Sequence, residues 1–470
     1  MSDVILLLPF AALLILNVLP RSTRAHAWIF AAVVFILQTA AAILQPFGVV
    51  DWSFLGPFEK AVGFTVQTDN LAILLLLTAG IAGLASVLVA RASVARPRAR
   101  FAFANLVLIA LIGINGIAMV RDLFSLYVFI EVTSVAAFIL VAVRDEGAAL
   151  EGAWKYLLLS AVASVLMLSG IALLLMTSGG VSFDAASAAL AAPTAEVWIA
   201  AALFLCGLFV KSAMVPFHGW LADAYSEAPP AVSVFLAGIV TKASGVFALM
   251  RLAPAALSAA GPGRMILLVV GAATAVGGAF LSLTQTDMKR MLAYSSISQM
   301  GYIVMALGGQ PALALIAAAI HFFNHTVSKA QLFTNAAAVE DRLGTRDMDR
   351  MGGIASRMPV TGGTSAVAML SIAGLPPLAG FWSKLLIVIA LWNGGQVVFA
   401  VIAVLTSLVT LAYFLALQRK VFFGTILPEW SEVHEAGPGY VVPALALAAI
   451  TVAVGLGFPF LLPILLGGGA

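Results

Sequence analysis

The chain has 470 residues, of which 62% are hydrophobic and 10% charged, with a mean hydropathy of +1.09; this excludes a water-soluble globule and predicts an all-α polytopic membrane protein. Its small net charge of +3 gives no reason to expect a nucleic-acid partner, and its single cysteine, Cys206, excludes a disulfide framework, an iron–sulfur cluster and a cysteine zinc site. Neither GxGxxG nor GxxxxGK[ST] is found, so no cofactor, metal or catalytic group is expected here, and any redox or ATP chemistry belongs to another subunit.

Hydropathy predicts fourteen spans, at 4–20, 27–45, 70–90, 101–120, 123–143, 154–176, 197–222, 229–250, 264–284, 289–308, 311–337, 361–392, 397–418 and 439–466. The first lacks a basic leader and a small-residue cleavage site, so it is expected to span rather than to be removed. The stretch from Trp52 to Val66 is too short and mixed to cross, and is expected at the interface or as a small hairpin. After the third span, the run from Arg91 to Arg100 reads as topology and headgroup anchoring, with partner docking as the alternative. No long polar domain interrupts the series, so 1–470 is expected to form one membrane domain. Within it, 1–100 holds helices one to three, 101–252 helices four to eight, 264–420 helices nine to thirteen and 439–466 helix fourteen.

The fifth span carries the first costly residue, Glu131, and Lys211, Lys242, Lys329 and Lys384 follow in the seventh, eighth, eleventh and twelfth. A charge at the centre of a spanning helix costs roughly 2.5–3.5 kcal/mol on insertion scales, so each is expected to face protein or water and to serve function. The seventh span reads LFLCGLFVKSAMVPFHGWL, and Pro216, five residues after Lys211, removes an N–H that an unbroken helix needs. His218 beside this break reads equally well as a channel entrance or a helix-end anchor, whereas His26 and His434 are loop residues with no functional case.

In the tenth span Ser295, Ser296, Ser298, Gln299 and Tyr302 offer enough polar groups to hold water. The eleventh, AIHFFNHTVSKAQLF, places His321, His325 and Lys329 at i, i+4 and i+8 on one helix face. A proton relay is the reading this stripe favours over satisfied core histidines or a metal site, since no carboxylate or cysteine is evident nearby to complete metal coordination. In the twelfth, SIAGLPPLAGFWSKLLIVIA, the Gly and Pro residues before Lys384 predict a second broken helix. Irregular backbone at membrane depth is tolerated where it lines a cavity or is buried in protein, and paired broken helices point to an ion pathway. Spans seven and twelve are five apart and so cross in opposite directions, which predicts two inverted five-helix repeats, four to eight and nine to thirteen.

Loop charges set the orientation. Sixteen of the 24 basic residues fall on the side of the odd-to-even connections, among them Arg21, Arg24, Arg144, Lys155, Lys289, Arg346 and Lys420. Only Lys60, Arg121, Arg251 and Arg264 fall on the other, so both termini are expected outside the cytoplasm, in the inner membrane of a prokaryote.

The segment VKSAMVPFHGWLADAYSEAPPAVSVFLAGIVTKASGVFALMR, from Val210 to Arg251, together with HFFNHTVSKAQLF and GLPPLAGFWSK, resembles the proton-conducting antiporter-like subunits of respiratory complex I, Mrp cation/proton antiporters and membrane-bound hydrogenases. The resemblance covers helices four to thirteen. It implies a glutamate in helix five, here Glu131, paired with a lysine in a broken helix seven, here Lys211. It further implies that Lys242, the His321, His325 and Lys329 region, and Lys384 continue the proton path. Some family members carry glutamate at this last position. The largest members carry a long lateral helix after the last span, and this chain resembles the shorter ones. The loop GTRDMDRMGGI, from Gly344 to Ile354, recurs in the family as a turn closing helix eleven.

In physical terms, desolvation favours a neutral amine and a nearby carboxylate favours an ammonium, so movement of Glu131 relative to Lys211 would switch that lysine between holding and releasing a proton. The expected function is a proton-translocating membrane subunit of a larger pump or antiporter, with homologous membrane subunits as partners and protons, with sodium or another cation, as cargo. The chain itself carries out no catalysis, and its complex would be either a redox-driven translocase or a cation/proton antiporter. The competing reading is a self-contained carrier for a small solute or cation, and a third is a structural member that has lost conduction. A static ion-pair glue is the bland alternative for Glu131 and Lys211, against which three further lysines without acids argue.

Overall fold

The computed structural model describes residues 2–20, 25–45, 66–143, 146–258 and 262–465. Arg21, Arg24, Lys60, Arg144 and the stretch from Trp52 to residue 65 lie outside the described residues. The described residues are predominantly α-helical, and the first helices are α1 (Ser2–Val18), α2 (Ala27–Leu44), α3 (Asn70–Ser93), α4 (Pro97–Met119), α5 (Leu123–Ala142) and α6 (Gly147–Ser178). After a short helix, Phe183–Ala191, come α7 (Ala195–Lys211), α8 (Gly219–Glu227) and α9 (Pro230–Ala253). The remainder are α10 (Gly263–Leu283), α11 (Met288–Leu307), α12 (Pro311–Leu343), α13 (Pro359–Ala373), α14 (Ala379–Asn393), α15 (Val397–Phe422) and α16 (Pro438–Leu465).

Among the described residues ten helices are long and apolar enough to cross a membrane, and shorter apolar helices add to them in α1, α13 and α14. The starts of the helices are set by local chemistry. Asp69, Asp122 and Asp287 accept backbone N–H bonds at the first turns of α3, α5 and α11, which satisfies donors that a helix start leaves unpaired. Prolines at the first turns of α4, α9, α12 and α13 add a preset φ where no N–H is required.

Both predicted breaks are present, and they end their first helices in the same way. After α13, Gly374 (φ 91°) and Leu375 donate back to Ser371 and Leu370, the paired bonds of a Schellman cap. After α7, Ala213 and Met214 donate back to Val210 and Phe209, with Ala213 held at φ 52°. A left-handed alanine is strained, and such strain clusters at functional sites.

Two small bridges also match in position. Asp122 at the start of α5 pairs with Ser182 beyond α6, and Asp287 at the start of α11 pairs with Asp347 beyond α12. The interior is built around α12, which packs against α3, α11, α13, α14 and α16. Helix α9 is fully enclosed, with its whole apolar window buried. It is also irregular, with π-helical turns at Leu236–Val240 and Lys242–Phe247.

One expectation needs correction. Lys289, counted among the loop charges, is 1% exposed at the start of α11; it donates to the Ala228 carbonyl at 2.8 Å and lies 3.5 Å from the Glu340 carboxylate. Counting charges between spans cannot distinguish a headgroup anchor from a helix-end lysine drawn inward by an acid one helix away.

Candidate functional site

The end of α7 brings Lys211 to the point where its helix stops, and three acceptors converge on its ammonium. Glu131 of α5 lies 2.8 Å away, Ser160 of α6 at 2.6 Å and Ser134 of α5 at 3.0 Å. An ammonium has three donors, so this one is fully coordinated. Lys211 is 2% exposed and Glu131 26%, so the pair is sealed on the lysine side and open on the acid side. The break itself is braced by Trp220 of α8, which stacks on Tyr156 at 4.3 Å and donates through its indole to the Val210 carbonyl.

Lys242 is held differently. Its ammonium turns back onto its own helix, donating to the carbonyls of Ala237 and, at 2.7 Å, Gly238. In a π turn the backbone N–H bonds five residues back rather than four, which displaces carbonyls from the regular ladder and leaves them available to a side chain. Lys329 of α12 donates to the Leu292 carbonyl at 3.0 Å and to the Ser295 hydroxyl of α11, with the Phe414 ring 5.6 Å away. Lys384 of α14 lies 4.8 Å from the centre of the Tyr302 ring and 3.5 Å from the Ala373 carbonyl at the second break. Among the described residues no carboxylate bonds to Lys242, Lys329 or Lys384.

The histidine stripe lies between these lysines. The His321 and His325 rings are parallel with centres 6.3 Å apart, and His321 Nδ1 meets the Ser383 hydroxyl at 2.9 Å. Both are fully buried, and His321 Nε2 and both nitrogens of His325 have no hydrogen-bonding partner among the described residues. Unpaired buried imidazole nitrogens call for water. His218 stands apart, packed edge-on against Tyr294 at 6.3 Å and half-buried.

The structure thus joins Glu131 to Lys211 directly and gathers His321, His325, Lys329 and Lys384 around α11, α12 and α14. Among the described residues no hydrogen bond links Lys211 to Lys242, or Lys242 to the stripe. Sequence reasoning missed Ser160 and Ser134, of which only Ser134, three residues after Glu131 on one helix face, left a signal. It also missed Ser383 and the π turns under Lys242. On the face with the basic loops, a cavity of about 370 Å3 opens beside Arg96, Pro229, Glu340, Asp341 and Tyr440. Glu340 connects it to the buried Lys289.

Residues 120–410 match the family described as NADH:quinone oxidoreductase/Mrp antiporter, transmembrane. The chain is 33% identical over 452 residues to NADH-quinone oxidoreductase subunit N of Desulforudis audaxviator, covering 90% of each. It is 28% identical over 405 residues to a Na(+)/H(+) antiporter subunit of Alkalihalophilus pseudofirmus, covering 85% of this chain and 82% of that one. A chain in the solved Mrp complex from Dietzia sp. superposes with a TM-score of 0.87 at 26% identity, over 99% of this chain and 96% of the other.

Proposed function

The chain belongs to the NADH:quinone oxidoreductase/Mrp antiporter transmembrane family, and on that premise we propose that it is a proton-translocating membrane subunit of a multi-subunit ion pump or antiporter. The observation that carries this reading is the Glu131–Lys211 pair at 2.8 Å, set at the break between α7 and α8. Its members have unequal surroundings, so a shift of the half-buried acid changes the balance felt by the sealed lysine. Protons released there pass through bound water to Lys242 and then along the stripe of His321, His325 and Lys329 towards Lys384. The groups on this route are nearly all able to carry protons, which disfavours a self-contained carrier.

The multi-pass chain lies in a bacterial inner membrane, crosses it fourteen times if α7 with α8 and α13 with α14 each count as one crossing, and has both termini on the non-cytoplasmic side. Its helices from α4 to α9 and from α10 to α15 form two inverted repeats. The two Schellman-capped breaks and the bridges Asp122–Ser182 and Asp287–Asp347, each at the corresponding place, support that division. Partners are other membrane subunits of the same complex, and the driving force is redox chemistry or a counter-flow of cation in those subunits.

The test is Lys211→Ala in the assembled complex, with proton movement followed in sealed vesicles. Loss of coupled proton movement with normal incorporation of the subunit is the expected outcome. Undiminished movement would remove Lys211 from the path.

A further inference from the structure

Helices α12 and α13 meet along a line of polar side chains that plays no part in the lysine row. On α12, Asn324, Ser328, Gln331 and Asn335 recur at i, i+4, i+7 and i+11, one face of a helix about 16 Å long between its ends. On α13, Thr361, Thr364 and Ser371 answer them. The contacts run across the interface. Gln331 Nε2 donates to the Thr364 carbonyl at 2.7 Å, the Thr364 hydroxyl donates to Asn335 Oδ1 at 3.3 Å, and the Ser371 hydroxyl donates to Asn324 Oδ1 at 2.8 Å.

At one end the line reaches the basic face, where the Glu435 carboxylate accepts from the Thr361 hydroxyl at 2.6 Å and from the Val360 N–H at 2.7 Å. Its other end reaches the second break: Gly380 N donates to Ser371 Oγ at 3.1 Å, Ser383 Oγ donates to the Gly380 carbonyl at 3.0 Å, and Ser383 Oγ meets His321 Nδ1. Four atoms along it, Asn324 Nδ2, Gln331 Oε1, Asn335 Nδ2 and Ser365 Oγ, are buried with no hydrogen-bonding partner among the described residues. Their residues are at most 2% exposed. Buried polar groups in such numbers are normally satisfied by ordered water, and an apolar α12–α13 contact would have packed without them.

We infer that the α12–α13 seam is a second, water-filled proton line, running from Glu435 on the basic face to the broken helix beside Lys384 and meeting the lysine row at His321. The inference rests on the proton-translocating reading above. Each water or hydroxyl takes a proton from one neighbour and passes one to the next, so the seam itself gains no net charge, while the amides of Asn324, Gln331 and Asn335 hold the waters in place. Its consequence is that the second half of the protein reaches the basic side by a route that does not run through Lys211 or Lys242, while coupled movement along it still requires the Glu131–Lys211 switch.

The test uses the assembled complex in sealed vesicles. Gln331→Leu and Asn335→Leu, which keep bulk and remove water-holding groups, are expected to lower proton flux at least tenfold. Thr364→Cys, in a Cys206→Ser background, is expected to react with a small charged methanethiosulfonate added on the basic side. Because labelling does not depend on the leucine variants folding, it decides the matter where they misassemble. Unchanged flux in the leucine variants, or an unreactive Thr364→Cys, overturns the inference. Lys211→Ala run in parallel separates the two ideas: if it stops flux and the seam variants do not, only the seam fails; if it has no effect, the underlying reading fails.

Discussion

A lysine buried in an apolar interior is stabilised by the acceptors its amine can reach, and Lys211 and Lys242 reach theirs in ways that differ in consequence. Lys211 has one charged and two neutral acceptors, whereas Lys242 has only backbone carbonyls. Removing the shortest of the hydroxyl contacts therefore tests how much the lysine depends on its neutral partners. Ser160→Ala leaves one donor unmet, a loss of about 1.5–3 kcal/mol for a hydrogen bond to a charged group. We expect proton flux slowed about tenfold and a lower melting temperature in detergent, whereas an unchanged flux would mean that Glu131 alone positions the lysine. Glu131, Lys211 and Lys384 were legible in the sequence because a charge inside an apolar run is rare and costly. Ser160 was not, since a serine in a spanning helix is common and its partner lies 51 residues away.

Helix breaks were legible where proline or glycine caused them. GLPPLAG before Lys384 announces its turn, and Pro216 announces the other, although the left-handed residue there is Ala213, which carries no such signal. The π turns of α9 were not legible at all, because 229–250 reads as an ordinary apolar span. They depend on a close approach that only the folded chain provides. A Cβ placed on Gly245 would lie 2.6 Å from Ser212 Cα and 2.7 Å from Ser212 N, at the end of α7. That distance is too short for any real contact, and backbone cannot yield as a side-chain tip can. Gly245→Ala is accordingly expected to push α9 off the first break, with reduced incorporation into the complex or flux reduced severalfold. Measuring assembly and flux together would reveal it, and a fully active, normally assembled variant would show that α9 tolerates displacement.

At the level of the whole molecule, the helices are tied at both faces by charged knots that no span-by-span reading could assemble. On the face away from the basic loops, Asp69 caps α3 and accepts from Arg121 at 2.9 Å and from Arg251 of α9 at 2.5 Å, while Arg251 also reaches the Ala118 carbonyl of α4. On the basic face, Arg346 joins Glu227 of α8 to Asp287 at the start of α11, each at 3.2 Å. The partners of these charges were not legible in the sequence, because ion pairs between distant loops leave no spacing in it. Burial pushes the Asp69 carboxyl up, but the Arg251 hydrogen bond, the Ala72 N–H and Arg121 outweigh it and hold it below its ordinary value. A lowered folded value means that the knot stabilises fully above the ordinary carboxylate range, near pH 4, and is lost as pH falls through the folded value. Thermal melts should therefore show an acid limb that Asp69→Asn flattens; identical acid limbs in the two proteins would assign the loss to other carboxylates.

The π turns of α9 also bear on how this chain can change over evolutionary time. A π turn is an α-helix with one residue inserted and absorbed by a wider turn, so deleting one residue between 236 and 247 would convert part of it to regular helix and leave everything beyond pointing nearly as before, whereas the same deletion in regular helix would rotate it by about 100°. Arg251 lies beyond and would keep its reach to Asp69, while the carbonyls of Ala237 and Gly238 that the π turn turns towards Lys242 would return to the regular ladder. For this stretch, then, the extra residue is a heritable choice about Lys242 alone: its loss would spare the register of the helix beyond and cost the seat of that one amine.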